Sequence, residues 1–388
     1  MGALLRDPYR DLNRRRCSRL RAGLNFDELV RLWAEAKRPR EKSRYVIQLA
    51  VDTFKSLIGD IPVERIGHEE IFDFRDMLAI FPAVRTPRER KMSAKSLYRA
   101  RLRKQDGRPT LTPTTIRKKV NAIQALVGFA YNERWISQDD THGIPLTRKP
   151  IILRRSFRRE ELRQLFADRL FVRRWSPSTR KCRSKSDVAL RWIFFLALMT
   201  GARIEEICQL YVHDIIAHDG IWALRIDDRG SSGEQTEKHL KTRSSRRLVP
   251  LHPRLIDLGF IPFVAERRAS NERWLFSELK ADPWHRRAQA IGKRCASLID
   301  RVSKDPALVF HSFRHTFKDL CREAGIQDSV NDQLTGHAPT TIGGAYGTGV
   351  SMAALASAIH ALDFEFVAWE PILRAVQSRE GRVSAETG

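Results

Sequence analysis

Between Arg191 and Leu210 the chain is strongly apolar, broken by Thr200-Gly201. No segment reaches the roughly 18 uninterrupted apolar residues that a membrane span requires. The stretch therefore reads as buried helix, with a turn at Thr200-Gly201 that ends one helix and starts another. That turn puts Arg203 at a helix N-terminus, where backbone N–H groups and the helix dipole reinforce a guanidinium facing an anion. Glu206 follows three residues later on the same face, placed to fix a neighbouring arginine or the turn backbone.

A chain of 388 residues exceeds one compact core and predicts two or three domains, and 42% hydrophobic content favours folded domains over disorder. The formal net charge of +24 points to a polyanionic partner. Charge alone does not separate DNA from RNA or from an acidic membrane. Cys17, Cys182, Cys208, Cys295 and Cys321 show no paired CxxC spacing. That argues against a zinc knuckle and a disulfide framework and fits a reducing cytoplasm. Cys208 and Cys321 lie in apolar helical patterns and are expected in the core. The start of the chain is arginine-rich, without an apolar signal core. The expected setting is cytoplasmic and nucleoid-associated, with no membrane partner.

Residues 1–22 read as a basic arm carrying Arg14-Arg15-Arg16. A helical domain follows over 23–140. Asn25 caps a helix with Phe26, Leu29, Val30 and Trp33 on one face. A second helix is expected over Ser43–Leu57 with Tyr45, Leu49 and Phe54 inward, and a third over 68–80. Residues 83–110 look like a polar, turn-rich excursion. Thr112-Pro113 starts a further helix through Ile116, Val120, Ile123, Leu126 and Val127. Lys55, Lys95, Arg117, Lys118 and Lys119 form its expected nucleic-acid face. A linker is placed at 141–155, a second domain at 156–367 and a tail at 368–388. In the second domain Ser156 and Arg159 frame a helix start. Convincing strands run over 220–226 and 247–251, with a shorter one near 214–216. The fold class is mainly α with a small antiparallel β-sheet in the C-terminal domain.

The polar residues of this second domain form a set. His311 and Arg314 stand at i, i+3 and point the same way. His311 can exchange protons near neutral pH and Arg314 can clamp a phosphate. His337 follows a turn at Leu334-Thr-Gly. Tyr346 lies in the glycine-rich Gly343-Gly-Ala-Tyr-Gly-Thr-Gly349, expected to be mobile. Lys241 sits in a basic turn with Lys238, Arg243 and Arg246, and the residues alone do not choose among these four. His311 and His315 share an i, i+4 spacing found at zinc sites, but Ser312 occupies the position where a metalloprotease needs Glu. No metal is expected, and His315 is read as a packing residue.

In these residues the chain resembles the tyrosine recombinase (phage integrase) family. The resemblance spans about residues 24–360 and is specific over 195–210, 238–252 and 308–347. It rests on Thr200-Gly-x-Arg203-x-x-Glu206, on Lys241-Thr-x-Ser-Ser-Arg-Arg-x-Val-Pro-Leu251 and on Gly336-His337 followed by Tyr346. Gly343-Gly344 before the tyrosine depart from the fuller polar pattern common in the family. The resemblance implies a helical core-binding domain and a catalytic domain that close around duplex DNA. It selects Lys241 as the general acid, with Arg203, His311, Arg314, His337 and Tyr346 completing the catalytic set and Glu206 supporting it. Arg243 and Arg246 are then expected to contact DNA. It further implies a 3′-phosphotyrosine intermediate, a homotetramer on two DNA sites, a phage or mobile-element role and no cofactor. Accessory DNA-bending proteins are compatible partners. Two rival readings share the features: a type IB topoisomerase, and a DNA-binding protein without catalysis.

Overall fold

A computed structural model describes residues 20–103, 107–146, 152–173, 175, 185–229, 236–240, 242–337 and 349–377. Residues 1–19 of the arm, 147–151 of the linker and 378–388 of the tail therefore lie outside the described residues, as do Cys17 and Cys182. The chain divides into two compact units, Met1–Ile151 and Ile152–Gly388. No described helix is long and apolar enough to cross a membrane.

The first unit is helical: α1 Phe26–Lys37, α2 Glu41–Leu57, α3 His68–Ala79, α4 Pro87–Arg90, α5 Ala94–Arg103 and α6 Pro113–Asn132. Asn25 caps α1 by accepting the Glu28 N–H at 2.9 Å. Thr112 caps α6, and Pro113 takes the first turn, where its missing N–H costs nothing. α6 packs on α1, α2 and α3. Phe26, Phe54 and Phe74 meet edge to face in that core, with centroids 5.4 and 5.1 Å apart.

Two expectations fail here. Tyr45 and Leu49 are 52% and 45% exposed, whereas Ala50, Val51, Phe54 and Leu57 form the buried face of α2. At about 100° per residue, Tyr45 lies on the side of the helix opposite Phe54. Residues 83–110 are also more than an excursion. They hold α4 and α5, and α5 sinks Leu97 completely against α2. Arg101 of α5 is buried too, with its Nε donating to the Ile80 carbonyl at 3.2 Å.

The second unit begins with α7 Arg159–Phe166 and α8 Arg169–Val172. Arg158 rather than Ser156 occupies the cap of α7, and the Ser156 hydroxyl is spent on Asp319. The apolar stretch forms α9 Lys185–Thr200, in which every residue from Val188 to Met199 is buried. A short α10, Ile204–Cys208, follows the turn. Strands β1 Ile215–His218, β2 Ile221–Ile226 and β3 Arg247–Pro250 then make an antiparallel sheet in sequence order. The β1–β2 hairpin turns at Asp219-Gly220, both at positive φ (51° and 76°), the geometry a two-residue hairpin favours. Ala223 pairs with Pro250 in the β2–β3 register.

Helices α11 Pro253–Asp257, α12 Phe260–Ala269, α13 Ala288–Val302, α14 Ser312–Glu323, α15 Asp328–Thr335, α16 Met352–His360 and α17 Trp369–Gln377 complete the unit. α14 lies along α9 and inserts Phe313 and Phe317 into the same core. Cys208, Cys295 and Cys321 are buried thiols in this unit. Met352 is buried, and Leu355, Ile359, Leu362 and Phe364 pack into the core of their own unit. So do Trp369 and Ile372 of α17, within the stretch expected to be tail. Trp369 also donates its indole N–H to the Phe364 carbonyl at 2.9 Å.

Trp369→Ala is therefore expected to lower the stability of the second unit by about 3–5 kcal/mol. Tyr45→Ala should leave the first unit within about 0.5 kcal/mol. Denaturant unfolding, followed separately for the two units, checks both. Equal effects would contradict the packing described.

Candidate functional site

The α9–α10 turn is built to let α14 come close. Gly201 has φ +60°, and a Cβ there would lie 2.7 Å from the Phe317 ring. Only glycine meets both conditions. The Thr200 hydroxyl holds the turn by accepting the Ala202 N–H at 3.2 Å. The freed Gly201 carbonyl accepts Arg314 Nη1 at 3.0 Å. Arg314 is 3% exposed and is thus fixed to the turn that carries Arg203.

Arg203 is the N-cap of α10. Glu206, 4% exposed, accepts the Arg203 backbone N–H at 2.9 Å and Arg203 Nη1 at 2.5 Å. Both uses anticipated for Glu206, an arginine and the turn backbone, are thus made at once. Its other partner, Arg247 Nη2 at 2.9 Å, was not anticipated. Burial acts to raise the Glu206 carboxyl, but Arg247 and then Arg203 overcome it and hold it below its ordinary value.

His337 arrives from α15. Gly336 ends that helix at φ +68°, and the His337 N–H returns to the Asp332 carbonyl at 2.9 Å. The ring lies 3.0 Å (Nδ1) from the Thr335 hydroxyl and 3.3 Å (Nδ1) from Arg314 Nη2. Lys318 Nζ stands 3.4 Å from the same ring and 3.1 Å from Asp332. Desolvation, then Arg314 and Lys318, push His337 down to about 4. Burial, then Arg203 and Arg247, push Arg314 down to about 9, so it stays cationic at neutral pH.

His311 is the exposed N-cap of α14, its ring 5.3 Å from that of His315. Desolvation followed by His315 and Arg314 push it down to about 4. Burial beside these cations thus favours its neutral form while no anion is in place. Lys241 and Tyr346 lie outside the described residues, as does the Arg243 side chain.

The structure thus brings together Arg203, Glu206, Arg314 and His337, with His311 at the head of the helix that carries Arg314. Around them the four cations Arg203, Arg247, Arg314 and Lys318 face the two carboxylates Glu206 and Asp332. That surplus suits an oxyanion. Among the described residues no group of three or more His, Cys, Asp or Glu could hold a metal ion.

Other candidates are committed elsewhere. Lys238 is buried against Asp214 at 3.0 Å and over the Tyr211 ring, so it is a core ion pair. Arg246 pairs with Asp228 at 2.8 Å and Asp227 at 3.4 Å. In the first unit Lys55 is held between Asp27 and Asp60, and Arg117 donates to the Leu146 carbonyl at 3.5 Å. Lys95 and Lys118 are exposed. Lys119 donates to the Thr53 hydroxyl at 3.3 Å, and burial followed by Arg85 pushes it down to about 8.

Sequence reading missed Arg247, Lys318 and Asp332. Arg247 looked like an ordinary strand start. No local sequence signal marked it, because its partners Glu206, Ser245 and Leu334 come together only in the fold.

Residues 158–347 match the model of the phage integrase family. Among solved structures, the integrase from mycobacterium phage Brujita is 14% identical, with 95% of this chain and 98% of that chain covered and a TM-score of 0.37. A lambda integrase tetramer bound to a Holliday junction is 12% identical, covering 91% of this chain and 86% of that one, with a TM-score of 0.47. The Tn1549 transposon integrase in complex with a circular intermediate DNA is 13% identical, covering 85% and 97%, with a TM-score of 0.48. No curated protein matches the chain.

Three histidines of this unit, His252, His311 and His337, are pushed from an ordinary 6.5 down to about 4. The unfolded chain then binds protons that the folded unit refuses between those values. Stability is fully present above about pH 6.5 and is lost as pH falls toward about 4. The thermal midpoint of the second unit should fall from pH 7 to pH 5. His252→Gln should reduce that slope, since His252 is the most buried of the three. A midpoint flat across this window would contradict the assignment.

Proposed function

We propose that this chain, whose residues 158–347 match the model of the phage integrase family, is a tyrosine-type site-specific DNA recombinase. The observation that carries the proposal is the meeting of Arg203, Arg314 and His337, from three separate segments, around one cationic spot.

A scissile phosphodiester in that spot has its non-bridging oxygens gripped by the forks of Arg203 and Arg314, with His337 as a further donor. The Tyr346 phenolic oxygen attacks phosphorus, forming the P–O bond of a 3′-phosphotyrosine while the bond to the 5′ oxygen breaks. His311 assists proton movement around the tyrosine or the phosphate. Lys241 gives a proton to the departing 5′ oxygen. The pentavalent transition state carries more negative charge than the diester, so fixed cations stabilise it more than the ground state. The 5′ hydroxyl of a second strand then reverses the step, and the strands are exchanged with bond energy retained. Neither metal nor nucleotide takes part in a reaction written this way.

In this reading residues 23–140 form the core-binding domain, 141–155 the linker and 156–367 the catalytic domain, onto which α17 of the 368–388 stretch also packs, with the arm 1–22 before them. The substrate is double-stranded DNA and the working form a homotetramer on two sites, of phage or mobile-element type, in a cytoplasmic, nucleoid-associated setting. The net charge of +24 supports a phosphate-rich partner.

A nicked duplex that traps the intermediate tests the chemistry. Wild-type protein should form a DNA adduct that survives denaturation, and Tyr346→Phe should bind the duplex without linking to it. An adduct of equal yield from the variant would refute Tyr346 as nucleophile. A plasmid with two paired sites should yield recombinants; relaxation alone would favour the topoisomerase reading.

A further inference from the structure

We propose that Arg247 is the positioning residue of this site, a buried guanidinium that sets the spacing between the Arg203 cap, the turn after Lys241 and the loop of His337. The proposal deepens the reading above and rests on it.

The side chain is only 3% exposed, yet it reaches three acceptors on three different segments. Its Nη2 donates to Glu206 at 2.9 Å, and Glu206 in turn fixes the backbone and side chain of Arg203. Its Nη1 donates to the Ser245 carbonyl at 2.7 Å. Ser245 closes the 3-10 turn Arg243–Ser245, and its hydroxyl accepts Arg203 Nη1 at 3.3 Å. Its Nε donates to the Leu334 carbonyl at 2.7 Å, in the last turn of α15 before His337.

A planar fork is suited to this task, because its donor directions are fixed relative to one another. Movement of any one segment breaks a bond to a group with no water to replace it. The fit extends to Gly336, where a Cβ would stand 2.8 Å from Arg247 Nη1 and 3.1 Å from the Ser245 Cα. The left-handed glycine before His337 thus lets the loop close onto the guanidinium. The Arg247 side chain is 3% exposed and spends its donors on Glu206, Ser245 and Leu334, so it acts through Arg203 and His337.

The test compares full-length wild type, Arg247→Met and Arg247→Lys on the nicked duplex. It reads three quantities: duplex affinity, thermal midpoint, and the single-turnover rate of adduct formation per folded molecule. Arg247→Met should slow adduct formation by about 100-fold, the scale of a small misplacement of reacting groups, with affinity changed less than about threefold. Arg247→Lys keeps the charge beside Glu206 but spans fewer acceptors, and should recover about tenfold of that loss. If Arg247→Met does not fold, Arg247→Lys is decisive, since it should melt near wild type while remaining about tenfold slower. Rates within twofold of wild type for the folded variants would overturn the proposal. So would a loss of affinity equal to the loss of rate. Absence of an adduct from the wild type would instead overturn the function on which it rests.

Discussion

The Glu206 carboxylate, buried between Arg203 and Arg247, is the constraint on which the rest of the second unit's polar architecture depends. Taking a carboxylate and a guanidinium out of water costs several kcal/mol for each ion, and only good geometry with further hydrogen bonds offsets it. Here Glu206 accepts from two guanidinium groups and one backbone N–H, and Arg247 shares itself with two carbonyls. Removing one partner from such a cluster typically costs about 3–5 kcal/mol, because the remaining charge stays buried. What the cluster provides is position: it ties together stretches of chain more than a hundred residues apart in sequence.

The apolar framework makes that possible. α9 is buried on all sides, so its end cannot drift, and the turn beyond it inherits the rigidity of the core. The close approach of Phe317 to Gly201 then delivers Arg314 to the same turn. One helix end therefore positions two arginines, one by sequence and one by packing. Burial also holds His252, His311 and His337 neutral, and at His311 and His337 the nearby cations add to the effect.

Much of this was legible in the sequence, because the relevant signals are local. Thr200-Gly201 interrupting an apolar run announces a turn, and with it the place of Arg203. Asn25 and Thr112 announce helix starts by their own side-chain chemistry. Signals that depend on partners distant in sequence were lost or misread. Tyr45 and Leu49 looked inward because they are apolar, although helical phase puts them away from Phe54. Residues 83–110 looked like an excursion because their charge hides the buried anchor Leu97. Arg247 gave no local sign of its role, since only the fold brings Glu206, Ser245 and Leu334 to it. Lys238 was the opposite case, a plausible acid by sequence that Asp214 holds in the core.

The most direct measurement is a crystal structure of the full chain with a duplex whose scissile phosphate is held uncleaved. The account predicts non-bridging oxygens within about 3.2 Å of the Arg203 and Arg314 guanidinium groups, a His337 ring nitrogen at the same distance, and the Tyr346 oxygen facing the phosphorus. A duplex bound with that phosphate outside the reach of both arginines would contradict it.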